Sequence, residues 1–255
     1  MQPLVRATTV AGLVMAGACT AGTIPAGPTR MDRQVGIRGH ELTLHLAEGV
    51  SPATGPLLLY ATGDGGYPGD EGLFERMMPW GLPMAAFSSA DYISFIDGPG
   101  RVIAPDLLAT DLQTVIGAAQ SALGLPSGTR VVFVGFSRGA GLAVSAATSP
   151  AFRGRLRGIL AIGLTAEEDY VSERVNGEDR MLQTYGALPR LGDLRVAVIQ
   201  STNDSFVPAD DARRRFGPDT PTRRLRPIAA RDHSFAGGLD ELALEMKASL
   251  DWIMK

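Results

Sequence analysis

Cysteine is nearly absent: the 255-residue chain has one, Cys19, so no internal disulfide can brace the fold. Histidine is almost as scarce, with three in all. Two of them, His40 and His45, fall in a stretch that reads as a strand, where the period of two puts them on opposite faces. A metal site built from that pair is therefore not expected. An excess of basic charge is also missing, since 24 Lys and Arg stand against 27 Asp and Glu for a net charge of −3. No domain-wide positive surface is available to displace counterions from phosphates, which argues against a nucleic-acid binder.

Long apolar runs are lacking as well. Residues 7–18 are small and apolar, yet this stretch is too short to span a bilayer. With Arg6 before it and Ala16-Gly17-Ala18 running into Cys19, it reads as an export signal over residues 1–19. Cleavage before Cys19 would leave that residue to carry lipid, as in a bacterial lipoprotein; an ordinary secretory signal ending in Ala-x-Ala is the other reading. The Ala, Gly, Pro and Thr that follow lack periodicity and are expected to form a flexible tether over residues 20–32. The chain as a whole is 45% hydrophobic, and what remains, residues 33–255, is long enough for one sizeable domain.

Strands and helices alternate through that domain. Short strands are predicted at 34–37 and 41–46, pairing as an edge hairpin, and further strands at 57–60, 82–87, 131–134, 156–162, 194–200 and 222–228. Several are apolar without polar alternation, as strands buried on both faces of a parallel sheet are. Helical spacing marks 70–80, 104–123, 140–147 and 239–254. The predicted fold class is α/β, a mostly parallel central sheet with helices on both faces. Residues 166–191 interrupt the rhythm with six acidic residues against three arginines, the expected place of a small lid-like insert. A merely solvated charged face is the alternative.

The stretch that organises the rest is Gly135-Phe136-Ser137-Arg138-Gly139, a G-x-S-x-G sequence directly after the strand at 131–134 and directly before a small-residue helix. Strand, sharp turn and helix in that order present a serine at the top of a sheet, so Ser137 is the candidate nucleophile. A serine hydroxyl needs a base within hydrogen-bond reach and a carboxylate to fix that base's tautomer. His233 is the only histidine after the turn, and Asp204 follows a predicted strand end. Asp210 and Asp211 fall in a predicted helix, and Asp232 adjoins the histidine too closely to bond its ring easily. The order Ser137, Asp204, His233 is that of α/β-hydrolases.

Gly63-Asp64-Gly65-Gly66 follows the strand at 57–60 and fits neither a P-loop nor a dinucleotide fingerprint. It reads as the loop whose backbone N–H, from Asp64 or Gly65, joins that of Arg138 in an oxyanion hole, or else as a plain glycine-rich loop. Tyr67 at its end, and Glu167, Glu168 and Asp169 in the insert, are the candidate substrate contacts. Neither a metal nor an organic cofactor is implied.

From about residue 57 onward the chain resembles the α/β-hydrolase superfamily. The 63–66 loop, the G-x-S-x-G turn and His233-Ser234-Phe235 resemble those of the AcvB/VirJ bacterial virulence family of exported hydrolases. That resemblance implies cleavage of aminoacylated phosphatidylglycerol, chiefly its lysyl ester. A non-catalytic periplasmic partner in secretion, keeping a hydrolase scaffold, is the competing class.

Overall fold

The computed structural model describes residues 29–50, 55–96 and 102–255. Cys19, the predicted export signal and most of the predicted tether lie outside the described residues.

The edge of the sheet is a hairpin of β1 (Arg30–Ile37) and β2 (His40–Ala47). β1 begins three residues inside the stretch expected as tether, because Arg30, Met31 and Asp32 continue the ladder opposite Ala47, Leu46 and His45. Arg30 also bonds Glu71 and Glu75 at 3.0 and 2.9 Å. On β2, Leu42, Leu44 and Leu46 turn inward, as the alternation predicts. Neither histidine there is packed with a second histidine: His40 stacks on Phe95, and His45 stacks on Tyr67 and bonds Asp32 at 2.9 Å.

Next come β3 (Leu57–Ala61), α1 (Gly66–Met77), β4 (Met84–Phe87), a short α2 (Ser89–Ser94) and the long α3 (Pro105–Ala122). The serine turn lies between β5 (Val131–Phe136) and α4 (Arg138–Ala147), and α5 (Pro150–Arg153) leads into β6 (Leu156–Ile162). After β6 the chain leaves the sheet as a separate hairpin, β7 (Glu167–Val175) and β8 (Glu178–Gln183), followed by α6 (Thr184–Ala187). It re-enters as β9 (Arg195–Ser201), then α7 (Ala209–Phe216), β10 (Arg223–Ile228) and α8 (Leu239–Met254).

The eight strands of the main sheet run in the order β1-β2-β4-β3-β5-β6-β9-β10. β2 is antiparallel to both neighbours, and every pair from β4 to β10 is parallel. Each central strand feeds both cores. Leu57, Leu59 and Phe133 pack with α3, α4 and α5 on one face, while Leu58, Tyr60 and Val134 pack with α1 and α8 on the other. That two-sided burial is why these strands show no polar alternation. The parallel strands all end at one edge, so the loops after β3, β5, β6, β9 and β10 gather there.

The insert expected over residues 166–191 contains a hairpin that its charge pattern did not specify. Asn176 and Gly177 take φ of 54° and 88°, the left-handed pair that closes a tight hairpin, and β7 pairs with β8 around them. Asn-Gly is itself a hairpin signal, so this element was legible in the sequence.

A buried polar knot ties the edge hairpin to the helical layer. The Asp111 carboxylate in α3 accepts from Arg38 Nε at 2.7 Å and from the buried Tyr92 hydroxyl at 2.8 Å. Asp111→Ala would leave the buried Tyr92 hydroxyl unpaired and strip the solvent-accessible Arg38 of its partner, and is expected to cost about 1–3 kcal/mol in urea unfolding. A loss within experimental error would show that the knot adds nothing to stability.

Candidate active site

The turn after β5 is forced by lack of space. A Cβ on Gly135 would come within 2.3 Å of the Gly139 carbonyl oxygen, and one on Gly139 within 2.1 Å of the Ala61 carbonyl oxygen. Only glycines let α4 start this close to β3 and β5. Between them Ser137 is held at φ 51°, ψ −116°, a conformation that a non-glycine residue adopts only where its surroundings enforce it. The Ser137 N–H is tied to the Ile162 carbonyl of β6 at 2.8 Å.

Asp204, three residues past β9, is buried and fully engaged as an acceptor. Its Oδ1 takes the backbone N–H groups of Phe206 and Val207 at 2.8 and 3.1 Å, and its Oδ2 takes Gln200 Nε2 at 3.0 Å. The same Oδ2 lies 2.6 Å from His233 Nδ1. With four donors converging on it, the carboxylate is the acceptor, so Nδ1 carries the proton and Nε2 keeps its lone pair. Nε2 is buried without a hydrogen-bond partner among the described residues. The imidazole stacks against Phe136, the residue before Ser137, at 5.5 Å, and Phe206 meets it edge-on at 4.8 Å. No hydrogen bond joins Ser137 Oγ to Nε2 in this structure, and such bonds often close only with substrate present. The other aspartates are engaged elsewhere: Asp232 accepts from the Ser234 hydroxyl and the Ala236 N–H, and Asp211 pairs with Arg214 within α7.

The loop after β3 is pinned from below. Asp70 in α1 accepts the Gly63 N–H at 2.6 Å, and Ser89 Oγ donates to the Thr62 carbonyl at 2.5 Å. Burial lifts the Asp70 carboxyl above its usual range, and the Gly63 N–H pulls it part of the way back. The N–H groups of Asp64, Gly65 and Arg138 donate to nothing among the described residues, which leaves them available to an oxygen between the loop and the turn.

A cleft of about 370 Å³ opens at this edge, lined by Asp64, Ser137, Arg138 and the start of the insert from Thr165 to Tyr170, with Phe206 and Val207 opposite. Glu167, Glu168 and Asp169 therefore all line it. Tyr67 does not: its ring is stacked on His45 at 3.5 Å and set edge-on to Phe74, facing the α1 side of the core. Arg138 crosses the cleft, paired with Asp64 and 3.7 Å from Asp169, with its guanidinium over the Tyr170 ring. Glu167 is exposed and accepts from Gln183.

Glu168 is the unexpected member. It is only 3% exposed, and the Thr165 hydroxyl donates to it at 2.7 Å. Its carboxylate fills the space where Gly141 of α4 has no side chain; a Cβ there would overlap Glu168 Oε1 at 1.5 Å. Burial raises its carboxyl to about 7, against the opposing pull of the Tyr170 and Thr165 hydroxyls and Arg138. Sequence reading treated it as one of three like acidic residues. The alternation of β7, which buries Glu168 and Tyr170 and exposes Glu167 and Asp169, separates them. Phe206, Tyr170 and Gln200 were not anticipated as parts of the site.

No protein-family model matches the sequence, and no curated protein is significantly similar to it. Solved structures do match. Est1E from Butyrivibrio proteoclasticus superposes with a TM-score of 0.63 at 13% identity, covering 88% of this chain and 99% of that one. The esterase domain of a Rhodothermus marinus protein gives 0.60 at 13% identity over 88% and 97%. E-2-(acetamidomethylene)succinate hydrolase gives 0.57 at 17% identity over 89% and 100%. The chain has the α/β-hydrolase fold. Its β7–β8 hairpin occupies the excursion between β6 and β9 at the C-terminal edge of that fold's sheet.

Glu168 makes a pH prediction. Between pH 4.5 and about 7 the folded chain keeps a proton that the unfolded chain has released, so this group's contribution to stability declines as pH rises across that window. Glu168→Gln removes the decline. Relative to wild type it should be more stable at about pH 8 than at about pH 5, by on the order of 2–3 kcal/mol in urea unfolding. A pH-independent difference would show that the carboxyl is not held protonated.

Proposed function

We propose that the protein is a serine hydrolase that cleaves carboxylic esters through an acyl-enzyme. In this reading Ser137 Oγ attacks the ester carbonyl while His233 Nε2 takes its proton, and Asp204 holds the ring and stabilises the imidazolium. The N–H of Arg138, with that of Asp64 or Gly65, receives the oxyanion. His233 then returns the proton to the departing alcohol, and water, activated by the same Nε2, releases the acid. The observation that carries the reading is the Asp204–His233 pair. Four donors saturate the carboxylate, and the one nitrogen it leaves with a free lone pair belongs to a ring packed beside the strained serine turn. The esterases and hydrolase among the structural neighbours support the same chemistry.

The test is labelling by a fluorophosphonate probe together with turnover of short p-nitrophenyl esters. Wild type should label at Ser137 and Ser137→Ala should neither label nor turn over; Asp204→Asn should lose on the order of 10³ to 10⁴ in kcat. Undiminished turnover by Ser137→Ala would refute the reading and favour a non-catalytic binding role for the scaffold.

We further propose that the substrate carries a cation, as the lysyl ester of phosphatidylglycerol does, and that an exported protein anchored by lipid on Cys19 meets it at the cell envelope. The resemblance to the AcvB/VirJ family motivates this substrate. The cleft supports it through Asp64, Glu167, Glu168 and Asp169 against Arg138 alone. Since Arg138 already pairs with Asp64 and Asp169 and Glu168 is buried, Glu167 is the exposed acid without an arginine. The variant Glu167→Gln should lower kcat/KM for lysyl esters several-fold while leaving neutral esters unchanged. Equal effects on both would remove the support for a cationic group.

A further inference from the structure

At the opposite edge of the sheet lies a second and larger cavity, of about 560 Å³, where β5, β6 and β9 begin. Five of its lining residues are cationic: Arg130, Arg153, Arg157, Arg195 and Lys255; Asp193 is its one acidic side chain. Ser137 follows the last residue of β5 and Arg130 precedes the first, so six strand residues, about 20 Å, separate this cavity from the cleft.

What sets these cations apart is their partners. Many arginines elsewhere are paired with acids: Arg213 and Arg226 with Asp219, Arg214 with Asp211, Arg224 with Glu245. The arginine-rich run over residues 213–226 is thus largely neutralised, by Asp211 and Asp219 in the same stretch and by Glu245 of α8. In the cavity none of the five has a carboxylate partner among the described residues. Arg157 donates to the Met254 carbonyl at 2.5 Å, Arg195 to that of Trp252 at 2.8 Å, Arg153 to that of Ala147 at 3.2 Å, and Arg130 to that of Leu156. Lys255 bonds to nothing among the described residues.

Helix capping accounts for part of this, since Arg153 meets the end of α4 and Arg157 and Arg195 meet the end of α8. A helix C-terminus is equivalent to only about half a negative charge. Two such ends and Asp193 still leave an excess of about three positive charges in one concave site. The carbonyl bonds also hold the guanidiniums in place, so little side-chain freedom is left to lose on binding, and a planar fork with spare N–H groups suits phosphate oxygens.

We propose that this cavity binds a compact phosphate-bearing polyanion. The excess charge sets its valence, and the concavity favours a small anion or a single lipid headgroup over an extended polymer. The site is independent of ester cleavage: none of its residues belongs to the cleft.

Calorimetric titration of the full chain with tripolyphosphate at low salt tests it. One site per chain is expected, weakening steeply with added salt. Lys255→Glu breaks no internal bond and should weaken binding roughly tenfold; Arg157→Gln/Lys255→Glu should weaken it further. Arg213→Gln, from the neutralised run, should bind as wild type. Turnover of soluble esters by all of these should match wild type, and binding by a protein that hydrolyses nothing would still support the site. Co-sedimentation with phosphatidylcholine vesicles containing phosphatidylglycerol, lost in the same variants, would identify the anion as a headgroup; tripolyphosphate binding without it would identify a free phosphate compound. Binding of neither probe, or equal binding by folded Arg157→Gln/Lys255→Glu, overturns the proposal.

Discussion

Where α4 starts, the backbone of Gly139 passes so close to the Ala61 carbonyl that even a methyl group would lie 2.1 Å from that oxygen. The rest of the candidate active site follows from this approach. It seats the helix against β3, which turns Ser137 into its left-handed conformation and puts the Arg138 N–H beside the 63–66 loop. The loop has its own restraints in Asp70 and Ser89, both bonded to backbone atoms of residues 62–63. Strain at one residue is thereby held in place by packing and hydrogen bonds from three others.

The insert is fitted to the same helix rather than laid loosely over it. Gly141, one turn beyond the serine, leaves the gap that Glu168 fills, and Tyr170 donates its hydroxyl to the Arg138 carbonyl at 3.2 Å. A carboxyl in that position is costly to ionise, and its neighbours recover only part of the cost. The hairpin thus carries two kinds of acid into the cleft: exposed ones that can meet a ligand or Arg138, and a buried one whose charge varies near neutral pH.

Charge is distributed unevenly between the two edges of the sheet. Asp64, Glu167, Glu168 and Asp169 collect at the C-terminal edge, and Arg130, Arg153, Arg157, Arg195 and Lys255 at the N-terminal edge. A net charge of −3 conceals this arrangement because the two groups nearly cancel in the total. Field strength at each edge depends on placement, which the sum does not record.

Local pattern was enough for much of the fold. Apolar strands buried on both faces, the G-x-S-x-G turn between strand and helix, and the chain order of serine, aspartate and histidine can all be read residue by residue, since each is set by backbone sterics over a few neighbours. The Asn176-Gly177 hairpin is equally local, a positive-φ pair between two charged strands. Other features had no local signature. Nothing in the sequence distinguishes Glu168 from Glu167 until the hairpin's pleat is known, nor moves Tyr67 out of the cleft until His45 arrives from another strand. The basic cavity is the clearest case. Its arginines stand at the starts of three strands and the end of a short helix, dispersed among ordinary neighbours, and only the parallel sheet brings those strand starts side by side. Sequence by itself determined which turns and strands could form; tertiary structure decided which charges meet, because electrostatic partners are chosen by distance in space and not along the chain.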